Sequence, residues 1–537
     1  MNIKIEGRLN SNTDVVKQLL EIRGLDENWL TADETYLNDG TLMRNFQAGY
    51  DLLEKHKNNN VIILIDNDTD GITSAATIYQ WLSATYPNMN LDYKIAEGKT
   101  HGIIFPILPD SSEYQLLIIP DASSSEVDKH KILAEQGIDI LILDHHEISQ
   151  LDNPYAVVIN PHHPECPYPN KTLSGVGVVY KFIEAIDKLN GVDNHTKYLD
   201  LVATGLVADV MSMRDLENKA LINLGVAQIN NPYIKAYLKA DGRIKDKPFT
   251  PTIVGFYLAP QINALIRMGT TEDKIELFKA MIGEIDAEYV VASIISIKRK
   301  QDGAKEPIVT RIVMDLQKSG RDKNKVILAE VPKRTPSALT GLIAGQLASL
   351  YQKPVLLGRV NDDGNFVGSA RSINGSSVAD LKDFSEASGL FNFVAGHQAA
   401  HGLSIPADKV EEYLEYAEAN LPKFEKFYSV FICEGDKSAV IAQLENLDSH
   451  YGPGFEEILL YDELYLMPGM AQIIGAKNNT LRIQTDELTY IKFRHKGDIP
   501  QDNKMLKIVG KPNMNYFNGM ATAQIFLEDW EEGDLVL

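Results

Sequence analysis

The chain has 537 residues, 44% of them hydrophobic, and a formal net charge of −22, which fits a globular protein of roughly three to four domains. No apolar run reaches the roughly 18 residues that a membrane span needs, and the start lacks the apolar core of a secretory signal, so we expect a cytoplasmic protein. Two cysteines without a CxxC pattern argue against a disulfide framework and a thiolate zinc site.

Residues 1–50 are predicted to form a helical lead-in, with apolar residues at helical spacing near 15–20 and again near 43–53. A series of alternating strands and helices follows, and this alternation predicts an α/β domain with a parallel sheet. The predicted strands lie near 61–65, 91–95, 115–119, 138–143 and 156–159, and the clearest helices cover 74–82, 176–189 and 198–210.

The second half of the chain contains two further predicted regions. A polar stretch from 271 to 299 predicts one long connecting helix, and a second α/β series begins after Pro307. Short alternating segments from residue 427 onward predict a small β-barrel. We therefore divide the chain into the lead-in (1–50), a first α/β domain (51–270), the connecting helix (271–305), a second α/β domain (306–425) and the barrel (426–537). In the second domain, strands are predicted at 308–309, 326–328 and 355–357, and a helix at 338–350.

Three apolar runs of the first domain each stop at a carboxylate, at Asp66, Asp121 and Asp144. Open α/β sheets place their chemistry at the carboxyl ends of parallel strands, so we expect these side chains to meet at one edge of the sheet. His145 and His146 follow Asp144 directly. Mixed oxygen and nitrogen ligands suit a pair of divalent cations such as Mn²⁺ or Mg²⁺. A two-metal hydrolase of phosphate esters is the leading interpretation.

The loop after the first strand has three carboxylates within five positions, namely Asp66, Asp68 and Asp70. Their mutual repulsion would be unfavourable without a bound cation. The loop is not an EF-hand, because Thr77 occupies the twelfth position instead of glutamate. A solvated turn is the alternative interpretation, and the other strand-end acids argue against it.

These motifs resemble those of the DHH phosphoesterase family. The resembling segments are Asp-x-Asp-x-Asp-Gly at 66–71, the lone Asp121, Asp-His-His at 144–146 and Ala-Asp at 208–209. The chain is most similar to the RecJ branch of single-strand DNA exonucleases, through residues 19–25, 160–177, 206–210 and 259–264. Gln261 stands where that branch has the first arginine of its Pro-Arg-Ile-Asn-Ala segment. The resemblance implies an α/β chain with a DHH domain, a DHH-associated domain and a C-terminal OB-like barrel.

The resemblance also implies roles for single residues. Two divalent ions, with Mn²⁺ preferred over Mg²⁺, would be held by Asp66, Asp68, Asp121, His145 and Asp209. Asp144 and His146 would complete the catalytic set, with His146 beside the scissile phosphate, whereas Asp70 would support the loop. Many family members carry a histidine just before the first aspartate, where residues 63–65 are apolar here, so one ion would have fewer protein ligands. Two ions about 3.5–4 Å apart would activate a water and neutralise the leaving oxygen.

Two glycine-containing segments, 368–372 and 396–402, match the positions of the family's Gly-Ser-x-Arg-Ser and Gly-Gly-His segments. Ala395 replaces the first glycine of the latter and His401 replaces an alanine. The resemblance assigns Ser369, Arg371, Ser372, Gly396 and His397 to the substrate and its terminal phosphate, and adds Asn263, Arg267, Lys99 and His101 as substrate contacts. A structural, hydrogen-bonded His397 is the alternative.

Tyr516 and Phe517 lie in the barrel segment that resembles the RecJ OB-fold, where aromatic side chains commonly stack on the bases of single strands. Packing of these two aromatic side chains inside the barrel is the alternative interpretation, and it is at least as consistent with the sequence.

The net negative charge argues at first against a nucleic-acid partner, because phosphate contacts need Lys and Arg. Residues 298–334 are basic, however, although a solvated surface explains them equally well, and bound cations would offset an acidic site. Three functions therefore compete. The first is a monomeric exonuclease that degrades single-stranded DNA from the 5′ end to 5′-mononucleotides in recombination or repair, with a single-strand-binding protein or a helicase as partner. The second is a DHH phosphodiesterase for short oligonucleotides or cyclic dinucleotides, and the third is a replication or assembly protein without activity.

Overall fold

The computed structural model describes residues 1–96, 101–103, 113–373, 378, 380–422, 427–475, 477–495, 497–517 and 519–533. The chain forms two compact units. One comprises Met1–Ile3 and Ser296–Tyr428, and the other comprises Lys4–Ile295 and the chain from Ser429 onward. Among the residues described, no helix is both long enough and apolar enough to span a membrane.

A five-stranded, fully parallel sheet forms the centre of the first α/β domain and confirms the predicted strands. Its strands are β2 (Asn60–Ile65), β3 (Asn90–Ile95), β4 (Leu116–Pro120), β5 (Asp139–Leu143) and β6 (Val157–Ile159), in the order β3-β2-β4-β5-β6. The central strands β2, β4 and β5 are buried along almost their whole length, as their continuous apolar sequences predict. Their carboxyl ends therefore lie side by side.

Helices surround this sheet and confirm the three predicted ones. They are α1 (Val15–Ile22), α2 (Phe46–His56), α3 (Thr69–Thr85), α4 (Val127–Glu135), α5 (Gly175–Asn190), α6 (Leu199–Ala208), α7 (Leu216–Ala227), α8 (Pro232–Ala240), α9 (Pro251–Ile253), α10 (Ala259–Met268) and α11 (Thr271–Ile282). Asp68 begins α3, because its carboxylate accepts a hydrogen bond from the Gly71 N–H at 2.9 Å. A π-helical turn, Val254–Leu258, joins α9 to α10.

The predicted long connecting helix is present, but its predicted bounds, 271–305, are wrong. Gly283, at φ +81°, ends α11, and a separate helix α12 (Ala287–Ser319) follows. Residues 308–309, predicted as a strand, lie within α12, which continues through Pro307. A proline inside a helix costs about 3 kcal/mol. Val309, Ile312 and Leu316 follow at helical spacing and pack into a core. The burial of these side chains outweighs that penalty.

The lead-in also differs from its prediction, because the chain begins with a strand, β1 (Asn2–Asn10). β1 is the edge strand of an eight-stranded sheet formed mainly by C-terminal residues, in the order β1-β12-β13-β17-β18-β16-β15-β14. The other strands are β12 (Phe427–Glu434), β13 (Leu460–Leu466), β14 (Ala471–Ile474), β15 (Thr480–Gln484), β16 (Thr489–Lys492), β17 (Lys504–Phe517) and β18 (Met520–Gly533), with α16 (Lys437–Leu444) beside them. These mostly antiparallel strands form the predicted OB-like barrel.

The unit around residues 296–428 is a second α/β domain with its own sheet, in the order β10-β11-β9-β8-β7. Its strands are β7 (Ile327–Glu330), β8 (Val355–Val360), β9 (Asn365–Arg371), β10 (Phe393–His397) and β11 (Ala400–Pro406), and its helices after α12 are α13 (Ser337–Tyr351), α14 (Leu381–Ala387) and α15 (Val410–Asn420). Side chains from α12 and α13 pack on one face of the sheet, and those of α14 and α15 pack on the other. The boundaries of the five predicted domains remain a prediction.

Candidate metal centre

Acidic side chains from separate elements meet at the carboxyl edge of the parallel sheet. Asp66, Asp121 and Asp144 directly follow β2, β4 and β5, and Asp209 directly follows α6. The central contact is His145, whose Nε2 lies 3.2 Å from Asp121 Oδ1 and 3.4 Å from Asp209 Oδ2. The predicted convergence of these four elements is therefore present in the fold.

Burial and mutual repulsion raise the pKa of two of these carboxyl groups, Asp121 and Asp209. Burial, reinforced by Asp70 and the neighbouring acids, raises the pKa of Asp121 well above its ordinary value. Burial and the charges of Asp70 and Asp68 raise the pKa of Asp209 to about 8. Asp121 Oδ1 is buried and accepts no hydrogen bond from any residue within the described ranges. An orphaned buried carboxylate oxygen beside other acids fits a divalent cation.

A second group of ligand atoms joins Asp66, Asp68 and His101, all within 4.8 Å of one another. His101 Nδ1 lies 2.6 Å from Asp66 Oδ2, and the Gly102 N–H donates to Asp66 Oδ1 at 3.3 Å. The sequence assigned His101 to the substrate, whereas the fold brings its ring against a metal-ligand candidate. The signal in the sequence was a histidine next to a glycine in the loop after β3, which indicates no specific role.

Asp70 is held by the start of α5, in agreement with its predicted supporting role. Its carboxylate accepts hydrogen bonds from Ser174 Oγ at 3.0 Å, from the Gly175 N–H at 2.6 Å and from the Val176 N–H at 3.2 Å. One of its oxygens also lies within 4.8 Å of ligand atoms of His145 and Asp209. Asp70 therefore both fixes the Asp-rich loop and contributes negative charge to the centre.

The two adjacent histidines differ in charge at neutral pH. Burial, with the charge of His146, lowers the pKa of His145 to about 4, so His145 is neutral and can bind a metal. The hydrogen bond to Asp144 raises the pKa of His146 to about 9, so His146 is a cation.

Asp144 makes this difference possible. It is fully buried, and its Oδ1 lies 2.8 Å from His146 Nδ1 and accepts the backbone N–H of His145 at 2.7 Å. Its Oδ2 accepts the Ser124 N–H at 3.0 Å. Burial alone would raise the pKa of Asp144, but the hydrogen bonds and the charge of His146 hold it well below its usual range.

Three glycines to which the sequence analysis gave no packing role allow these carboxylates to lie close together. A Cβ at Gly175 would lie 2.3 Å from Asp121 Oδ1, and one at Gly205 would lie 2.3 Å from Asp70 Oδ1. A Cβ at Gly71 would lie 2.6 Å from the Asp66 Cβ. Glycine inside a helix was the available signal, because it disfavours helix unless another element needs the space.

Asn263 and Arg267 lie on α10 beside the acids, as predicted. Both line a cavity of about 140 Å³ together with Asp68, Asp70 and Asp209. The Thr69 hydroxyl donates to Asn263 Oδ1 at 3.2 Å. Burial lowers the pKa of Arg267, while the charge of Asp68 opposes that shift. A guanidinium ion at this cavity fits an anionic substrate.

The predicted phosphate-binding residues form a compact group in the other unit. Arg371 on β9 pairs with Ala400 on β11, which pairs with His397 on β10, so these three residues form one cross-strand row. Gly396 belongs to the next row and Ser369 to the row after that. The Arg371 guanidinium lies against Gly341 of α13, where a Cβ would be 2.5 Å from its Nη2. Ser372 continues β9, and its N–H donates to Ala399 O at 2.8 Å.

Two remaining predictions concern the barrel and the loop after β3. Tyr516 and Phe517 are 64% and 68% exposed near the end of β17, so the alternative of packing inside the barrel is wrong. The Tyr516 hydroxyl donates to Glu445 Oε2 at 2.6 Å. Lys99 lies outside the described residues.

Asp209→Asn tests the repulsion within the acidic group. In the metal-free protein at pH 8.5, we expect the variant to unfold at a higher temperature than the wild type, because the ionised Asp209 repels Asp70 and Asp68. The contribution of a carboxyl group with a raised pKa is complete at low pH and is lost as the pH rises through about 8. The difference in melting temperature should therefore shrink towards pH 5. A difference in melting temperature that stays constant with pH would contradict the raised pKa of Asp209.

Comparison with known proteins shows which families and proteins this chain is similar to. Residues 60–206 match the DHH family, N-terminal domain, and residues 437–529 match the RecJ OB domain. The protein named "Putative SPbeta prophage-derived single-strand DNA-specific exonuclease YorK" from Bacillus subtilis (strain 168) is 29% identical, over 99% of this chain and 98% of that protein. "Single-stranded-DNA-specific exonuclease RecJ" from Haemophilus influenzae is 25% identical, over 97% of each chain.

Solved structures agree with the architecture. RecJ of Thermus thermophilus in complex with Mn²⁺ superposes with a TM-score of 0.76 at 18% identity, over 99% of this chain and 80% of that chain. The structure of the same protein with Mg²⁺ gives a TM-score of 0.73. At this level of identity the likeness establishes the fold, and it confirms the predicted combination of two α/β domains and an OB-like barrel.

Proposed function

Because residues 60–206 match the DHH family and residues 437–529 match the RecJ OB domain, we propose that this chain is a RecJ-like member of the DHH family and a metal-dependent exonuclease that hydrolyses single-stranded DNA. The observation that carries the proposal is the buried group around His145, where Asp121 and Asp209 approach one imidazole nitrogen. Digestion from the 5′ end to 5′-mononucleotides and a role in recombination or repair belong to the same proposal.

Two divalent ions, Mn²⁺ in preference to Mg²⁺, would be held by two ligand groups. Asp121 and Asp209, which each approach Nε2 of His145, would form one group with that imidazole. Asp66, Asp68 and the ring of His101 would form the other. When bound, such ions lower the pKa of a water and neutralise charge on the phosphate. The ring of His101 would then supply the nitrogen ligand that residues 63–65 lack.

The protein's own residues bind and orient the phosphodiester. His146 is a cation at neutral pH, and its Nδ1 faces Asp144, so Nε2–H remains to donate to a phosphate oxygen. Asn160 Nδ2 donates to the backbone carbonyl of His146 at 2.9 Å and keeps it in place. Arg267 and Asn263 line the cavity of about 140 Å³ beside Asp209 and would contact the strand next to the cleaved bond.

The unit that contains Ser296–Tyr428 would bind the terminal phosphate. Arg371, Ser369 and Ser372 offer a planar cation and hydroxyl groups, and Gly396 allows close approach of the backbone. His397 and Lys99 would contact the substrate as well. Tyr516 and Phe517 are free to stack on bases farther along the strand, as their exposure allows. A monomeric state, a cytoplasmic location and a single-strand-binding protein or helicase as partner complete the proposal.

The direct assay uses single strands labelled at the 5′ or 3′ end, as DNA and as RNA, with Mn²⁺ or Mg²⁺. We expect DNA to be shortened from its 5′ end to mononucleotides, and Asp209→Ala to abolish this. Consumption of dinucleotides or cyclic dinucleotides alone would replace the proposal by a phosphodiesterase for short substrates. Absence of hydrolysis with every substrate would favour a binding protein.

His101→Ala tests the second ligand group. The variant should lose one nitrogen coupling in the electron spin-echo spectrum of bound Mn²⁺, because a directly bound imidazole couples to the ion. Mn²⁺ affinity should fall roughly 10- to 100-fold. His495→Ala, in the barrel, is the control and should change neither quantity. An unchanged spectrum in His101→Ala would assign His101 to the substrate instead.

Arg371→Ala tests the terminal-phosphate pocket. We expect this variant to hydrolyse strands with and without a 5′-phosphate at similar rates, because the bidentate contact with that phosphate is lost. The preference of the wild type should fall roughly tenfold or more, the equivalent of one charged hydrogen bond. Arg359→Ala, on the neighbouring strand β8, is the control. An equal loss of hydrolysis rate on strands with and without a 5′-phosphate would refute the role of Arg371 in binding that phosphate.

A further inference from the structure

An apolar trough of about 460 Å³ lies beside the metal centre, within the unit that contains both the parallel sheet and the barrel. Its walls include Val207, Val210, Pro251, Phe256, Tyr451 and Pro453. The trough and the metal-centre cavity share two lining residues, Ala208 and Asn263. A strand whose phosphate reaches the metal centre would therefore pass this trough.

Phe256 is an unusual residue for a protein surface, because 77% of it is exposed. It lies on the π-helical turn Val254–Leu258, in which the Ala259 N–H donates to Val254 O. Pro260, which has no N–H to donate, explains why the helix widens at this point. π-Helical turns occur frequently at functional sites, where they change the direction of side chains. Here the turn places an aromatic ring in the wall of the trough.

Val210 is strained, and its side chain is 69% exposed. It directly follows Asp209 and has φ +59° at the end of α6. The Val210 N–H donates to Val207 O and the Met211 N–H donates to Leu206 O, a Schellman motif in which glycine normally takes this position. A β-branched residue there is a true outlier, and such strain is concentrated at functional sites.

The opposite wall is held rigidly. The Met213 N–H donates to Pro453 O at 2.8 Å, and the Thr252 hydroxyl donates to Tyr451 O at 3.3 Å. A Cβ at Gly452 would lie 2.4 Å from Met213 Sδ, so the backbone fits closely there. The trough is therefore preformed, which reduces the entropy lost when a ligand binds.

The charges around the trough indicate what enters it. None of the described residues that line it is Lys or Arg; Glu456 and Glu457 line it, and Glu457 is paired with Lys511. This lining therefore offers no cation to a phosphate group, whereas the flat face of a nucleobase can stack on an aromatic ring. We infer that the trough binds one nucleobase of the strand under hydrolysis, stacked on Phe256 and packed against Val210. This inference rests on the proposed function and adds a base-binding subsite to it.

Binding of single strands that each carry one abasic position tests the subsite. The protein would be the Asp121→Asn variant, so that the strands stay intact, with Mg²⁺ present, and affinity would be followed by fluorescence anisotropy. We expect one abasic position to weaken binding roughly 5- to 100-fold, the usual range for one stacked base. Adding Phe256→Ala should cause the same loss and remove the sensitivity to that position. Tyr289→Ala, an aromatic residue with 64% exposure that does not line the trough, is the matched control.

Val210→Asn provides a second variant, because asparagine accepts a positive φ readily. It should weaken binding while leaving the melting temperature equal or higher, whereas a purely structural residue would lose stability. An abasic penalty that survives in the Phe256→Ala variant would overturn the subsite, even where the wild type degrades DNA. If the wild type neither binds nor degrades single strands, the proposed function fails first, and the subsite fails with it.

Discussion

Asp121→Asn is expected to lower the rate of single-strand hydrolysis roughly 10³-fold or more. Asp121 contributes a buried oxygen that accepts no hydrogen bond within the described ranges and lies 3.2 Å from His145 Nε2. Loss of one ligand carboxylate removes charge stabilisation worth several kcal/mol, and each 1.36 kcal/mol is tenfold in rate. The measurement is the initial rate on end-labelled DNA with saturating Mn²⁺.

Asparagine suits this position because Asp121 has φ +67°, a conformation that asparagine tolerates. The variant should therefore fold, and its metal-free form should melt at a higher temperature than the metal-free wild type, because one repelling carboxyl group is gone. Asp246→Asn is the control, since Asp246 has φ +65° and is exposed. Full activity of Asp121→Asn would contradict the metal assignment.

Asp144→Asn is expected to reduce hydrolysis at pH 8 roughly 100-fold and to change the pH profile. The carboxylate of Asp144 raises the pKa of His146 to about 9, so the wild type keeps the His146 cation at pH 8. Without that carboxylate the His146 pKa should return towards the ordinary value of about 6.5, and the cation would be lost above it. Part of the activity should therefore return at pH 6.

Asp187→Asn is the matched control for this prediction. Asp187 is also a buried aspartate beside a histidine, with His195 Nδ1 at 3.0 Å and the Trp81 Nε1–H donating at 2.9 Å. Its replacement should lower the melting temperature and leave the pH profile unchanged. If Asp144→Asn lost activity equally at pH 6 and pH 8, His146 would not act as the cation proposed here.

The strand-end acids could be predicted because each has a local signal. Asp66, Asp121 and Asp144 each follow a continuous apolar run, and parallel pairing of such runs brings their ends to one edge. The apolar helix predicted over 198–210 likewise has Asp209 at its end, and the resemblance to the DHH family then joined Asp209 to the other acids. The pairing of β2, β4 and β5 follows from these same apolar sequences.

Other features depend on partners far away in the sequence. β1 alternates as a strand should, but its neighbour β12 begins more than 400 residues later, so nothing local indicated the pairing. His101 approaches Asp66 across 35 positions. Gly175 is glycine because Asp121 lies against it. α12 passes through Pro307 because its apolar residues pack into a core that only the folded unit provides.

The most direct test is X-ray diffraction from crystals soaked in Mn²⁺, measured at the manganese absorption edge. We expect two anomalous peaks about 4 Å apart, one among Asp121, His145 and Asp209 and one beside Asp66 and Asp68. Data from Asp121→Asn crystals treated in the same way should lose at least one peak. Strong manganese peaks elsewhere on the chain, with none at the carboxyl edge of the parallel sheet, would contradict the account.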